Sequence, residues 1–191
     1  MDDRFRCFGH TPLYAEYHDA EWGRPVHDDR MLYEMLILEG AQAGLSWETV
    51  LKKRESYRQA FDGFDFNKIA LYGDEKKAEL LANAGIIRNR QKIDAAIVNA
   101  RLFIDIIAAH GSFDKFIWAY VDNKPIVGHW ESFEGMPATT PLSDRISKDL
   151  KKLGFKFVGS TIVYSFMQAV GIVNDHLKQC FVYGELTTGG S

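Results

Sequence analysis

The run from Arg90 to Ala109 constrains the fold more than any other stretch of the chain. Its apolar residues fall at Ile93, Ala96, Ile97, Ala100, Phe103 and Ile104, the spacing of one face of a long helix, and His110-Gly111 closes it as helices commonly end. The pattern predicts a central core helix with shorter helices around it. Asp28 or Asp29 caps an apolar run that reaches Glu39 and stops at Gly40. Ser46 caps Trp47 to Phe61, Asp65 caps a helix to Leu71, and Glu75 to Ala84 closes on Gly85. Ser112 caps a helix through Tyr120, Ser143 caps one ending near Gly154, and another begins at Ser160 and reaches Ala169 or Val170. Asp122 to Pro141, with its prolines and scattered glycines, reads as an irregular connection. No alternation of period two extends beyond a few residues, so the expected fold class is all-α.

A chain of 191 residues fills one core, and the expectation is a single domain over 1–191, with two helical lobes sharing a cleft and a flexible tail over 181–191. The start is acidic, and the most apolar stretch, Ile162 to Val173, is too short and interrupted to span a bilayer. The chain therefore reads as a cytoplasmic protein with no membrane partner, and as a monomer. A net charge of −3 provides no general attraction to phosphates. Basic residues are nonetheless clustered: Arg145, Lys148, Lys151, Lys152 and Lys156 face only Asp144 and Asp149 in their segment, and Arg88, Arg90 and Lys92 form a second group. Either cluster is equally a solvated helix face.

The chain has two cysteines, and each has a histidine within ligand spacing: Cys7 with His18, and Cys180 with His176. On a helix, His176 and Cys180 at i and i+4 share a face, and the four side chains make a Cys2His2 set suited to tetrahedral Zn2+. Such an ion would tie the two chain ends together, and four protein ligands would make it structural. Two buried free thiols satisfy the same residues, as does a disulfide, which a reducing compartment disfavours.

Leu153 to Thr161 places a helix, a short turn bounded by Gly154 and Gly159, and a second helix starting near Ser160. This is helix–hairpin–helix grammar. Gly159 admits a phosphate close to the backbone, the N–H groups near Ser160 are free to donate to it, and Lys156 adds charge in the turn. A glycine-bounded turn between packed helices has the same sequence.

Aromatic residues and one isolated acid are concentrated elsewhere. Tyr14, Tyr17, Trp22 and Trp47 can wall a slot for a flat heterocycle, or simply pack in the core. Glu39 ends an apolar helix face, where a carboxylate is costly unless it is paired or faces a cavity; the alternative is an ordinary exposed helix-end acid.

At these residues the sequence closely resembles the 3-methyladenine DNA glycosylase I family. The resemblance runs from Cys7 to Cys180 and is carried by Pro-Leu-Tyr-x-x-Tyr-His-Asp-x-Glu-Trp-Gly at 12–23 and by the Glu-Gly-x-Gln-Ala-Gly-Leu-Ser-Trp segment at 39–54. Gly-Ile-Ile-Arg at 85–88, Gly-Phe-Lys-Phe-Val-Gly, Tyr-Ser-Phe-Met-Gln-Ala and Asn-Asp-His over 154–176 complete it. It implies a two-lobed helical enzyme of the helix–hairpin–helix superfamily, with a zinc clip at Cys7, His18, His176 and Cys180. It further implies that Glu39 reads the alkylated adenine edge and serves catalysis, that Tyr17 and Trp47 stack on the base, and that Tyr14 and Trp22 complete the pocket. Gln42, Gly44 and Leu45 match the loop that enters DNA where the base has left.

The implied partner is double-stranded DNA containing alkylated adenine. Superfamily members that also cut the strand use a lysine just after the hairpin, where this chain has Ser160-Thr161, so a monofunctional enzyme is implied. Asp175 lies near the superfamily's catalytic aspartate, but His176 beside it belongs to the metal set, and Asp175 receives no catalytic role. One departure is at Phe8, since the family often carries a tryptophan shortly after the first cysteine. The competing reading is a zinc-stabilised, non-catalytic DNA-binding protein of the same fold.

Overall fold

The structure is a computed structural model and describes residues 4–188. Its α-helices are α1 (Pro12–Ala20), α2 (Asp29–Gln42), α3 (Trp47–Ala60), α4 (Phe66–Ile69), α5 (Asp74–Ala82) and α6 (Arg90–His110). They are followed by α7 (Phe113–Trp118), α8 (Pro141–Leu153), α9 (Ser160–Ala169) and α10 (Phe181–Thr188). The only sheet among the described residues pairs β1 (Ile126–Val127), inside the connection expected to be irregular, in parallel with β2 (Val173–Asn174), which follows α9. The chain is thus mostly helical, and no described helix is long and apolar enough to cross a membrane.

The helix buried on every side is α2, not α6. Every residue of α2 from Leu32 to Ala41 is buried, whereas α6 buries one face through Ile93, Ala96, Ile97, Ala100, Phe103 and Ile106. The difference is written in composition: α2 is apolar around most of its circumference and packs against α3, α6, α7 and α9, while α6 keeps a charged outer stripe. Asp28 caps α2 as expected, its Oδ1 accepting from Met31 N at 2.8 Å. The helix then runs through Gly40 to Gln42. That glycine is a contact, not a stop signal, because a Cβ there would lie 3.2 Å from the Cβ of Phe157 in the α8–α9 turn. Lys92 terminates α2, donating from Nζ to the carbonyls of Ala41 and Ala43 at 2.7 and 2.8 Å. This member of the second basic cluster therefore serves the fold.

Other boundaries move for similarly local reasons. Pro12 starts α1, a helix that hydrophobic periodicity did not reveal. Helix α4 ends at Ile69, short of Leu71. Helix α5 ends at Ala82, and Gly85 is needed instead for contact with Ser56, whose Cβ would sit 2.9 Å from an added methyl. Thr140 caps α8 with Pro141 in its first turn, and Ser143 answers as the other half of a capping box: Ser143 N donates to Thr140 Oγ1 at 3.1 Å and Thr140 N to Ser143 Oγ at 2.8 Å. The expected flexible tail is helical to Thr188, with Val182 buried and Phe181 N donating to Phe5 O at 3.3 Å. Residues 189–191 lie outside the described residues.

The turn between α8 and α9 is fixed from both sides. Asn99 on α6 clamps the backbone of Lys156, accepting from its N–H at 2.8 Å and donating to its carbonyl at 2.9 Å, and Ser147 Oγ donates to Val158 O at 2.6 Å. After α9, Gly171 adopts φ +72° where an added Cβ would overlap the backbone of Arg24 and Pro25. Gly171→Ala should cost at least about 2 kcal/mol, from left-handed backbone strain plus backbone overlap. Gly135→Ala, at φ +89° with open space around it, should cost only about 1 kcal/mol. Urea midpoints of the two variants measure the difference, and equal losses would contradict the close approach.

Candidate functional site

Three helices each supply a pair of side chains at i and i+3 to one cavity of about 180 Å³: Tyr14 and Tyr17 from α1, Glu39 and Gln42 from α2, Ser165 and Gln168 from α9. Trp47 at the start of α3, Trp22 after α1, and Phe8 complete the lining. The i, i+3 spacing puts each pair on one helix face, so three packed helices suffice to close a slot. Its aromatic walls are continuous. Phe8 lies 4.8 Å from Tyr14 and 4.9 Å from Trp22, and Tyr14 stacks on Tyr17 with centroids 6.4 Å apart. Tyr17 and Trp47 are 5.4 Å apart and inclined at 46°. All of the expected pocket aromatics are therefore together, with Phe8 among them.

Glu39 is 4% exposed, and its Oε2 has no hydrogen-bond partner, nor has the indole Nε1 of Trp47. Leaving such atoms unpaired costs about 1–3 kcal/mol each. Burial pushes the Glu39 carboxyl up to about 8. Burial also raises the Tyr17 and Tyr14 phenols, with the Glu39 charge adding to both shifts. Glu34, one turn earlier and equally buried, is treated differently: Arg54 and Arg58 donate to it, and Arg54 Nη1 also grips both oxygens of Glu21 at 2.7 and 2.9 Å. The fold neutralises one α2 carboxylate with arginines and leaves the other turned to the cavity.

A second opening adjoins the first, sharing Glu39, Gln42 and Ser165 and adding Ala43, Gly44, Leu45, Thr161 and Ile162. Gly44 has φ +81°, and Leu45 beside it is exposed. Lys156, Gly159 and Ser160 do not reach the aromatic cavity. They sit on the α8–α9 turn, where Ser160 borders a groove with Lys148, Lys151 and Lys152. Nothing lies within 4 Å of a Cβ built on Gly159, and its φ of −60° suits any residue, so the fold itself does not require glycine there. Ser160 Oγ is engaged by Ser143 at 2.8 Å and Asp144 at 2.5 Å.

Behind the aromatic wall, ligand atoms of Cys7, His18, His176 and Cys180 all lie within 4.8 Å of one another. Cys180 Sγ is 3.4 Å from His18 Nε2 and 3.6 Å from His176 Nδ1, and Cys7 Sγ is 3.6 Å from the same Nδ1. The histidines are oriented for ligation. His18 Nδ1–H donates to Asp19, itself held by Arg6, and His176 Nε2–H donates to Trp22 O at 2.9 Å, so Nε2 of one and Nδ1 of the other face the sulfurs. These separations suit ligands around one tetrahedral ion, which stand about 3.3–3.8 Å apart. The expected helical placement of His176 and Cys180 is not observed. Both lie in the turn before α10, and Leu177 N donates to Cys7 Sγ at 3.1 Å. A turn curls the second pair toward Cys7 and His18, where a helix would have aligned it along one axis.

A family model described as methyladenine glycosylase matches residues 7–183. The chain belongs to the methyladenine glycosylase family. A curated relative, DNA-3-methyladenine glycosylase 1 of Escherichia coli, is 51% identical over 172 residues, covering 90% of this chain and 92% of the relative. A crystal structure of 3-methyladenine DNA glycosylase I superposes with TM-score 0.90 at 52% identity, covering 93% of this chain and 98% of that one. Another, a variant of 3-methyladenine DNA glycosylase I in complex with 3-methyladenine, superposes with TM-score 0.88 at 38% identity over 91% of this chain and 93% of that one.

Ser165 and Gln168 are the pocket residues to which sequence reasoning attached no role. Their signal was faint: two polar residues at i, i+3 inside an otherwise apolar helix. The burial of Glu39 has a consequence for this family member that needs no substrate. Its carboxyl stays protonated in the folded chain up to about pH 8 but ionises near pH 4.5 when unfolded, so folding is progressively penalised as pH rises between those values. Glu39→Gln removes the penalty. The variant should match the wild type near pH 4 and exceed it by a few kcal/mol at pH 8. Denaturant unfolding across that range tests this, and a difference that does not change with pH would contradict it.

Proposed function

We propose that this protein hydrolyses the N-glycosidic bond of N3-methyladenine in alkylation-damaged DNA, the first step of base excision repair. The observation that carries the reading is the pair of unpartnered buried atoms, Glu39 Oε2 and Trp47 Nε1, in an aromatic-walled slot. A flat, hydrogen-bonding heterocycle is the ligand such a slot suits. N3-methylation leaves the base cationic, so the glycosidic bond is already weak and the base departs neutral without a strong acid. Tyr17 and Trp47 stack on it, worth about 0.5–2 kcal/mol of cation–π attraction, with Tyr14 and Trp22 closing the sides. The cationic base beside it draws the Glu39 proton off, since an adjacent positive charge favours the carboxylate over the acid that burial otherwise imposes. The anion then accepts from the adenine edge and sets its negative potential against the charge of base and sugar.

The base reaches the slot by leaving the duplex, which is least costly for a damaged nucleotide. Gln42, Gly44 and Leu45 occupy the gap, as the exposed Leu45 at the mouth of the adjoining opening supports. The α8–α9 turn acts as a helix–hairpin–helix element: Lys156 and the open backbone at Gly159 and Ser160 meet a phosphate, beside Lys148, Lys151 and Lys152. Asp175 takes no part as a base. With no lysine after the hairpin, strands are left uncut. The protein acts as a monomer and a single domain whose two helical lobes flank the cleft.

The metal is Zn2+, held by Cys7, His18, His176 and Cys180, and its role is structural because the four protein ligands leave no open position. It fixes Trp22 through the bond from His176 to the Trp22 carbonyl. Purified protein should carry one zinc per chain. Cys180→Ser should lower the metal content and depress Tm by roughly 5–15 °C, and full stability after complete zinc removal would contradict the assignment.

Release of free base from methylated DNA, with strand cleavage scored separately at the abasic sites, tests the activity. Free 3-methyladenine with intact strands is expected, and Glu39→Gln should slow release by about 10–100-fold. No release from folded, zinc-loaded protein would leave a DNA-binding module.

A further inference from the structure

The Tyr-Ser-Phe-Met-Gln-Ala and Asn-Asp-His motifs hold residues that stacking, Glu39 and the metal set do not use. Asp175 is buried, and its two oxygens accept from three donors. Trp130 Nε1, in the segment after β1, lies 2.8 Å away; Tyr164 hydroxyl and Gln168 Nε2, both on α9, lie at 2.5 and 3.0 Å. A carboxylate accepting three hydrogen bonds takes a donor from each partner, so it fixes which end of the Gln168 amide faces it. The nitrogen is turned to Asp175, with Met136 Sδ also 3.6 Å from it. The oxygen is left at the opposite end, accepts nothing from the described residues, and belongs to a side chain that lines the Glu39 cavity.

We infer that Gln168 determines base specificity: its amide oxygen, locked toward the cavity by Asp175, is a second acceptor beside Glu39 for the exocyclic amine of the alkylated base. The inference rests on the reading of this cavity as the methyladenine pocket. An exocyclic amine offers two N–H donors and so satisfies two acceptors. A purine with an oxo group there brings a third set of lone pairs and is repelled. Glu39 by itself does not enforce this choice, because its protonated form donates as readily as the anion accepts. A free glutamine would not enforce it either, since its amide rotates to suit the ligand. The lock gives Gln168 a single polarity, and Asp175 is the positioning residue that imposes it.

The test is tryptophan-fluorescence titration of the zinc-loaded protein with free 3-methyladenine and with 3-methylhypoxanthine, its 6-oxo counterpart, alongside Tm and base release from methylated DNA. Gln168→Met keeps the length of the side chain and removes the amide. It should weaken 3-methyladenine binding about tenfold and, with the repelling oxygen gone, leave 3-methylhypoxanthine binding no weaker than in the wild type, so that discrimination collapses. Asp175→Asn should also collapse discrimination, chiefly by improving the oxo base as the Gln168 amide becomes free to turn.

Wild-type protein that neither binds 3-methyladenine nor releases it would overturn the pocket reading, and this inference with it. Wild type that does both while Gln168→Met retains its discrimination overturns the inference alone. A variant with lowered Tm but wild-type discrimination assigns the network to structure, and an Asp175→Asn protein that discriminates normally removes the lock. Gln168→Leu serves the same comparison if the methionine variant does not fold.

Discussion

Helix α2 is buried all round from Leu32 to Ala41, and it carries two carboxylates into that interior. Each needs an answer to the cost of desolvation. Glu34 has one within the chain: Arg54 and Arg58 surround it, and Arg54 extends the network to Glu21 at the end of α1. That network fixes α1 and α3 against α2, which in turn positions Tyr17 and Trp47. Glu39 has no such answer. The packing that holds the aromatic walls in place keeps it buried, so that it escapes the charge only by holding its proton and still leaves one oxygen without a partner. The pocket is therefore a by-product of how the most buried helix is neutralised: completely at one turn, incompletely at the next.

The remaining parts are devices for holding that arrangement. The Cys2His2 cluster lies directly behind Trp22, joined to it by the His176 bond to its carbonyl and by ring contact at 4.5 Å. Gly23 follows at φ +76°, with His176 ring atoms 2.9 Å from where its Cβ would be. The two chain ends thus form the back wall of the cavity. On the other side, Asn99 and Ser147 fix the α8–α9 turn, and Phe157 of that turn rests on Gly40, adjacent to Glu39. The putting together of pocket and turn through one glycine means that the position of the hairpin and the position of the carboxylate are not independent. Preorganisation of this kind suits a site whose functional groups must be placed before a ligand arrives.

Much of this was legible in the chain. Asp28, Ser46, Asp65 and Ser112 cap helices where their spacing predicts, and Gly111 ends α6 in the left-handed conformation. Tyr14, Tyr17, Trp22, Glu39 and Trp47 share one cavity, as their clustering predicts, whereas Gln42, expected only in the adjoining loop, lines that cavity too. The misreadings have a common cause. Gly40 and Gly85 look like helix stops, but each is small because another element presses against it, Phe157 in one case and Ser56 in the other. A glycine required for φ and a glycine required for closeness are the same letter. The helical placement of His176 and Cys180 failed likewise, since i, i+4 spacing fits a tight turn as well as a helix.

What the sequence determined by itself is therefore local: helical class, most helix starts, the residue types of the Cys2His2 cluster, and the motif residues that mark the family. These depend on neighbours within a few positions, where periodicity and capping act. Tertiary structure alone decided that α2 rather than α6 is the buried centre, that Glu34 finds two arginines while Glu39 finds none, and that Trp130 comes to share Asp175 with Gln168. Each depends on which elements pack against which. The cost of burying a charge is set by distant residues that fold up beside it, and no window along the chain contains them.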